Sequence, residues 1–213
     1  KCVACGECKK KQFTAENCLG EARIVYGKEV TVKDLLPILL EDKDFYDNSG
    51  GGVTLSGGEC LMQADFCAAL LKQLKAQGVH TAIDTCGFVP KEALEKVIPY
   101  TDVFLYDLKA YDEDVHLQCT GRANKLILEN LTYLDSMCKN IEIRIPYVPD
   151  YNDNQIEKIA RFLAPMKHIT KIRILPYHNY AGSKYEALGM RNTLPNRLPT
   201  AEELEAAEKS VTL

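Results

Sequence analysis

The sequence contains no run of about 18 apolar residues, the least that a membrane-spanning helix needs, so no membrane role is expected. It has no excess of positive charge either: 26 lysines and arginines face 30 aspartates and glutamates, a net charge of -4, and no global basic field exists to draw nucleic acid. No secretory signal opens the chain, no low-complexity tract interrupts it, and no helical array repeats along it. Its nine cysteines are odd in number, and without an export signal a disulfide framework is not expected; reduced thiols in a cytoplasm, some of them metal ligands, fit better. What is present is 213 residues, 46% hydrophobic and 26% charged, the balance of one large globular domain with a substantial core. The chain opens on Lys1-Cys2 in the middle of a cysteine motif and reads as a fragment.

From Val53 onward a short β-branched run, a turn and an amphipathic helix alternate. The runs cover 53–56, 80–85, 102–107, 141–147 and 169–176, and helical patterns lie between them at 64–76, 90–98, 124–137 and 152–163. In the first of these helices Phe66, Leu70, Leu71 and Leu74 share one face. Another helix is expected from Thr31 or Val32 to Leu40, bent at Pro37, and a last one begins at a capping box formed by Thr200 and Glu203 after a loop over 188–199. Strands alternating with helices predict an α/β fold with a parallel sheet. Five strands are visible, and one more βα unit upstream would complete a six-stranded partial barrel rather than a closed eight-stranded one.

Where each strand ends, the sequence places groups that a core would reject: Ser56-Gly57-Gly58-Glu59, Asp84-Thr85, Asp107-Leu108-Lys109, Arg144-Ile145-Pro146, and His178 after the last. Any one of them alone reads as a helix cap or a loop residue. The C-terminal ends of parallel strands share one rim, however, so five such groups predict a common polar pocket. Adjacent glycines expose backbone donors and acceptors, Glu59, Asp84 and Asp107 supply anions, and Lys109 supplies a cation. That mixture suits a zwitterion with an ammonium and a carboxylate better than a polyphosphate. Gly50-Gly51-Gly52 precedes its strand and is not followed by Gly-Lys-Ser/Thr, so it is no phosphate loop.

Cys2-x-x-Cys5-x-x-Cys8 sets three thiols on a tight loop that Gly6 allows to turn, as in bacterial ferredoxin cluster loops. There the fourth cysteine follows after three residues; here that position is Gln12 and the next cysteine is Cys18. Two closures stay open: Cys18 completes one 4Fe-4S site, or the loop exchanges ligands with a motif outside the sequence. Zinc is the alternative metal. Lys9, Lys10 and Lys11 read as a solvated basic run. Cys67 and Cys138 read as small buried hydrophobes, Cys119 has no metal spacing, and Cys60 and Cys86 stand near the pocket rim, where a nucleophile is the rarer reading.

Taken in order, Ser49-Gly-Gly-Gly-Val-Thr-Leu-Ser-Gly-Gly-Glu59, Asp84-Thr-Cys-Gly87, Tyr106-Asp-Leu-Lys109, Arg144-Ile-Pro-Tyr-Val-Pro149 with Asn152-Asp153, and Leu175-Pro-Tyr-His178 resemble the motifs of the glycyl radical enzyme activating enzymes. These are radical S-adenosylmethionine (SAM) proteins related to pyruvate formate-lyase activating enzyme. The resemblance implies a partial (β/α)6 radical SAM barrel over 31–213, lacking its first βα unit, behind a ferredoxin-like iron-sulfur insert over 1–30. It implies that a reduced 4Fe-4S cluster cleaves SAM to a 5'-deoxyadenosyl radical, which takes hydrogen from a glycine of a partner glycyl radical enzyme, with a flavodoxin- or ferredoxin-type reductant. By the same resemblance Gly57, Gly58 and Glu59 bind the methionyl ammonium, Asp84 and Lys109 orient the amino and carboxylate ends, and His178 approaches the nucleoside. Arg144 and Val148 lie near SAM, Asp107 with Asp84 and Thr85 holds a monovalent cation, and Cys2, Cys5, Cys8 and Cys18 carry an auxiliary cluster.

Two departures accompany it. The Cys-x-x-x-Cys-x-x-Cys loop that holds the SAM-cleaving cluster is absent, so that cluster is expected upstream and the chain alone is expected to be inactive. Cys60 stands where proline commonly follows Gly-Gly-Glu. A non-catalytic iron-sulfur or zinc module that binds or relays electrons is the alternative. An aldolase or isomerase with Lys109 as base would leave the cysteine loop and the Gly-Gly-Glu tract unexplained.

Overall fold

The computed structural model describes residues 2–10, 14–25, 27–191, 193 and 195–211; Lys1, Lys11 and Gln12, named above, lie outside them. Among the described residues β1 (Gly52–Leu55), β2 (His80–Thr85), β3 (Val103–Asp107), β4 (Asn140–Tyr147) and β5 (Ile169–Pro176) form one parallel sheet in the order of the chain. The α/β expectation holds, and each strand lies within one residue of its predicted ends. Because every strand pairs with the next, right-handed crossovers bring the connecting helices to one face of the sheet. The alternation of side chains then decides everything else. Phe104 and Tyr106 of β3, and Ile141, Ile143 and Ile145 of β4, are fully buried, whereas Asp107, Glu142 and Arg144 alternate with them and face the other way.

Before the sheet come α1 (Val32–Leu40) and α2 (Lys43–Ser49); α3 (Ala64–Ala76), α4 (Lys91–Val97), α5 (Glu113–Thr120), α6 (Lys125–Ser136) and α7 (Ile156–Leu163) connect the strands, and α8 (Gly182–Ala187) and α9 (Ala201–Ser210) follow them. Thr31 and Asp34 form a reciprocal cap on α1, and Thr200 and Glu203 form the cap predicted for α9. Pro37 lies inside α1. The helices α2, α5 and α8 were not expected, since short polar stretches such as Lys43-Asp-Phe-Tyr-Asp-Asn-Ser give too few apolar positions to show a period. The segment expected as one helix from residue 152 begins with a 3-10 turn, Asp153–Gln155, ahead of α7. No helix among the described residues is long and apolar enough to cross a membrane.

At the N-terminal end of the sheet, away from the predicted pocket, Asp102 accepts from the Thr81 N-H at 2.8 Å, from the Thr81 hydroxyl at 3.0 Å and from Lys75 Nζ at 2.7 Å. Burial pushes its carboxyl up, but these donors outweigh that and leave it below the ordinary carboxylate range. A depressed acid stabilises the fold above its unfolded-state pKa, and the contribution is lost as pH falls through the lower folded value. Asp102→Asn is therefore expected to lose about 1–2 kcal/mol at neutral pH. In urea unfolding the gap to wild type should close as pH drops below ~4; a gap independent of pH would show that the charge does not matter.

Candidate functional site

The polar ends of the strands meet. Register pairs Asp107 with Arg144 across β3 and β4, and Asp84 with Leu105 across β2 and β3, which places both aspartates on the face that Arg144 occupies. Arg144 donates to Asp107 Oδ1 through Nε at 2.9 Å and Nη2 at 2.8 Å, and Nη2 also donates to Asp84 Oδ1. Asp84 Oδ2 accepts from the Ser56 hydroxyl at 2.8 Å, and Lys109 Nζ stands 3.5 Å from Asp107 Oδ2. The side chains of Arg144, Asp84 and Asp107 are only about a fifth exposed, where charges are screened less than on the surface. Burial works against the Arg144 charge, but Asp107 and then Asp84 outweigh it, so the guanidinium holds its proton more tightly than usual. Two anions and two cations are thus gathered in a balanced array, open at the rim.

Glu59 lies between the loops after β1 and β2. Both of its carboxylate oxygens accept from the Thr85 hydroxyl, at 2.8 and 2.9 Å; Oε2 also accepts from the Cys86 N-H at 3.0 Å, and Oε1 from the Leu61 N-H at 3.1 Å. The Cys86 thiol lies 3.2 Å from Oε2, and burial, with Glu59 beside it, pushes that thiol up. Glu59 therefore clasps the loop after β1 to the loop after β2. Gly57 and Gly58 are exposed beside it, and a Cβ on either would meet nothing within 4 Å. Gly57 has φ +146°, a conformation that L side chains rarely adopt, so the loop can present its backbone only with glycine there.

Buried amides, which the sequence reading missed as site residues, fasten the rim loops. Asn152 donates to the carbonyls of Lys109 at 2.7 Å and Pro146 at 2.6 Å, while its Oδ1 accepts from the Val148 N-H at 2.8 Å. Asn130 holds the carbonyls of Gly87 and Val89, and Asn124 those of Ala110 and Tyr111. For Asn152 the available signal was its place just after the Arg144–Pro149 motif. Val148 joins the site through Asn152, and His178 stacks on Tyr180 with centroids 4.5 Å apart.

Among the described residues, no three His, Cys, Asp or Glu side chains stand close enough to hold a metal ion, so Cys2, Cys5, Cys8 and Cys18 are not drawn into a ligand set. Their surroundings nevertheless suit thiolates. Cys18 Sγ accepts from the Ala22 N-H at 3.3 Å, the main reason its thiol lies below the usual range, and Arg23 Nη2 is 3.7 Å from Cys8 Sγ. The described residues supply the chemistry of a soft-metal site without its closed geometry.

Residues 2–163 match the Radical SAM superfamily. The chain is 42% identical over 175 residues to the trans-4-hydroxy-L-proline dehydratase activating enzyme of Clostridioides difficile, covering 80% of this chain and 58% of that one. It is 38% identical to the pyruvate formate-lyase-activating enzyme of Clostridium pasteurianum, covering 77% of this chain and 69% of the other. A crystal structure of a domain of pyruvate-formate lyase-activating enzyme from Bacteroides vulgatus superposes with a TM-score of 0.63 at 31% identity, covering 76% of this chain and 92% of that domain. The chain thus spans little more than half the length of several curated relatives. Family match, identity and superposition agree with the rim network: the chain belongs to the radical SAM superfamily and, within it, to the glycyl radical enzyme activating enzymes.

Proposed function

We propose that this chain is the SAM-binding portion of a glycyl radical enzyme activase, acting on the glycine of a partner protein with electrons from a flavodoxin- or ferredoxin-type donor. The observation that carries this reading is the Asp84–Arg144–Asp107–Lys109 array at the strand ends, which matches a zwitterion charge for charge. Asp84 and the carbonyls of the Gly57-Gly58 turn receive the methionyl ammonium; Lys109 and Arg144 receive its carboxylate. Glu59 and Thr85 support that turn, and Val148 and His178 lie toward the nucleoside. Cys2, Cys5, Cys8 and Cys18, in the insert over 1–30, would hold an auxiliary 4Fe-4S cluster. When bound, the SAM-cleaving cluster, for which this sequence holds no Cys-x-x-x-Cys-x-x-Cys loop, would supply the electron for breaking the C-S bond. The chain's own part is to bind and orient, which fixes where the radical is released.

A monovalent cation between Asp84, Thr85 and Asp107 would have to displace the Arg144 guanidinium, which already bridges both carboxylates. Arg144 therefore turns toward the ligand carboxylate if that cation binds.

Calorimetric titration of the reduced chain with SAM or S-adenosylhomocysteine tests the reading. Lys109→Met and Arg144→Gln are each expected to weaken binding at least about tenfold, the loss of one charge-assisted contact. Binding that ignores both substitutions would sink the assignment. In a chain of the relatives' full length, the same variants should slow release of 5'-deoxyadenosine.

A further inference from the structure

We propose that the open edge of β5 is a docking groove for an extended, acidic segment of the partner protein, which adds a strand there and sets two carboxylates, two residues apart, against Lys171 and Arg173. Among the described residues β5 pairs with β4 alone, so alternate backbone N-H and C=O groups along its other side have no strand to meet. A groove of about 600 Å³ follows that edge; Thr170 to Leu175 line it on one side, and Glu208 of α9 with Val211 just after it on the other. Those six residues of β5 make about 20 Å of strand, room for a peptide of the same length. The register separates the two walls. Lys171 lies opposite Glu142 and Arg173 opposite Arg144, so both cations stand on the polar face of the sheet, whereas Ile172 and Ile174 face the core to which Val211 belongs.

Charge chooses the occupant. Arg173 donates through Nε to Glu142 at 3.1 Å, and its terminal amines have no partner among the described residues. Lys171 is exposed and makes no ion pair among them. Two cations thus face one anion on the polar face, while the groove's own acid, Glu208, stands on the opposite wall. A guanidinium with free N-H groups beside an ammonium is suited to donate to carboxylates. Side chains two apart on an added strand share a face, so acids at that spacing meet Lys171 and Arg173 together, and the residue between them turns toward the apolar side of Ile174 and Val211. A second copy of this chain fits worse, because its β5 would bring the same two cations to the edge and like charges opposite one another repel. Edge lysines commonly guard a sheet against any added strand, but a guard acts without regard to the spacing of acids. The groove is continuous with the rim array: Arg173 lies opposite Arg144, which bridges Asp84 and Asp107. That the partner is a glycyl radical enzyme rests on the reading above; affinity for an acidic strand does not.

The test follows the fluorescence anisotropy of short labelled peptides of valine, threonine and a pair of glutamates, the glutamates either two residues apart or adjacent, as the whole chain is added. The peptide with glutamates two apart is expected to bind at least about tenfold more tightly than the other, and Lys171→Glu, which breaks no ion pair of the fold, to weaken that binding by as much. Bound peptide should also slow amide hydrogen exchange within residues 170–175. Equal affinity for the two peptides, binding indifferent to Lys171→Glu, or unchanged exchange overturns the proposal. Exchange that slows there with rising protein concentration alone would make a second copy the occupant. A peptide that binds this chain but not one of the relatives' full length would show the edge covered from within, and either result overturns the partner as occupant. Protein that binds the peptide but not S-adenosylhomocysteine strikes the SAM reading alone, and the reverse strikes only the groove.

Discussion

Gly87→Ala is expected to lower the unfolding free energy by about 3–5 kcal/mol, a large part of the ~5–15 kcal/mol that holds a domain together. Two causes add. Gly87 sits at φ +71°, where an L residue carries a strain of roughly 1–2 kcal/mol. A Cβ there would also stand 1.7 Å from the Tyr106 hydroxyl oxygen and 2.3 Å from its Cζ. Tyr106 cannot yield easily, since it is 0% exposed and its hydroxyl donates to the Ile127 carbonyl at 2.7 Å. Relief would have to come from moving the backbone after β2, where Thr85 and Glu59 are joined. Gly121→Ala is the control: it has φ +73° but nothing within 4 Å of its Cβ, so it should lose only the strain. Urea unfolding of the two variants measures the difference. Equal losses would mean that the crowding against Tyr106 is absorbed elsewhere.

The strands were legible because β-branched runs alternate with polar residues at period two and are bounded by turns, a local signal that tertiary packing reinforces. The pocket was legible for a related reason: charges stand where each strand ends, and parallel pairing leaves those ends nowhere to go but one rim. The pairing inside the pocket was not. Arg144 meets both Asp84 and Asp107 through the register of three strands, which no local pattern fixes. Glu59 shows the limit most clearly. No local pattern shows that the loops after β1 and β2 lie side by side, so that its carboxylate accepts from Thr85, Cys86 and Leu61. Asn152 read as the start of a helical pattern and as a companion of the Arg144–Pro149 motif. Its amide is directed across the rim to neighbouring loops, a contact that only the folded chain makes.

Removing that amide should be the most damaging change at the site itself. Asn152 is 3% exposed and satisfies three backbone groups: the carbonyls of Lys109 and Pro146, and the Val148 N-H. Asn152→Ala leaves all three without their partner, at a cost of about 1–3 kcal/mol for each buried group, so a loss of roughly 3–5 kcal/mol is expected after partial rehydration. Because Lys109 is held through its own carbonyl, affinity for S-adenosylhomocysteine should fall as well, even where the variant remains folded. Asn152→Asp separates the donor role from the acceptor role. The ionised aspartate still accepts from Val148 but faces two carbonyls, and that repulsion, with burial, raises its pKa in the folded state. A raised acid stabilises the fold as pH falls, since the protonated form can donate to one of the carbonyls. Asn152→Asp should therefore gain stability relative to Asn152→Ala between neutral pH and ~4, the reverse of the trend predicted for Asp102. Parallel pH profiles for the two variants would show that the carbonyls of Lys109 and Pro146 do not depend on the amide, and that the β3 and β4 loops are held to one another by something else.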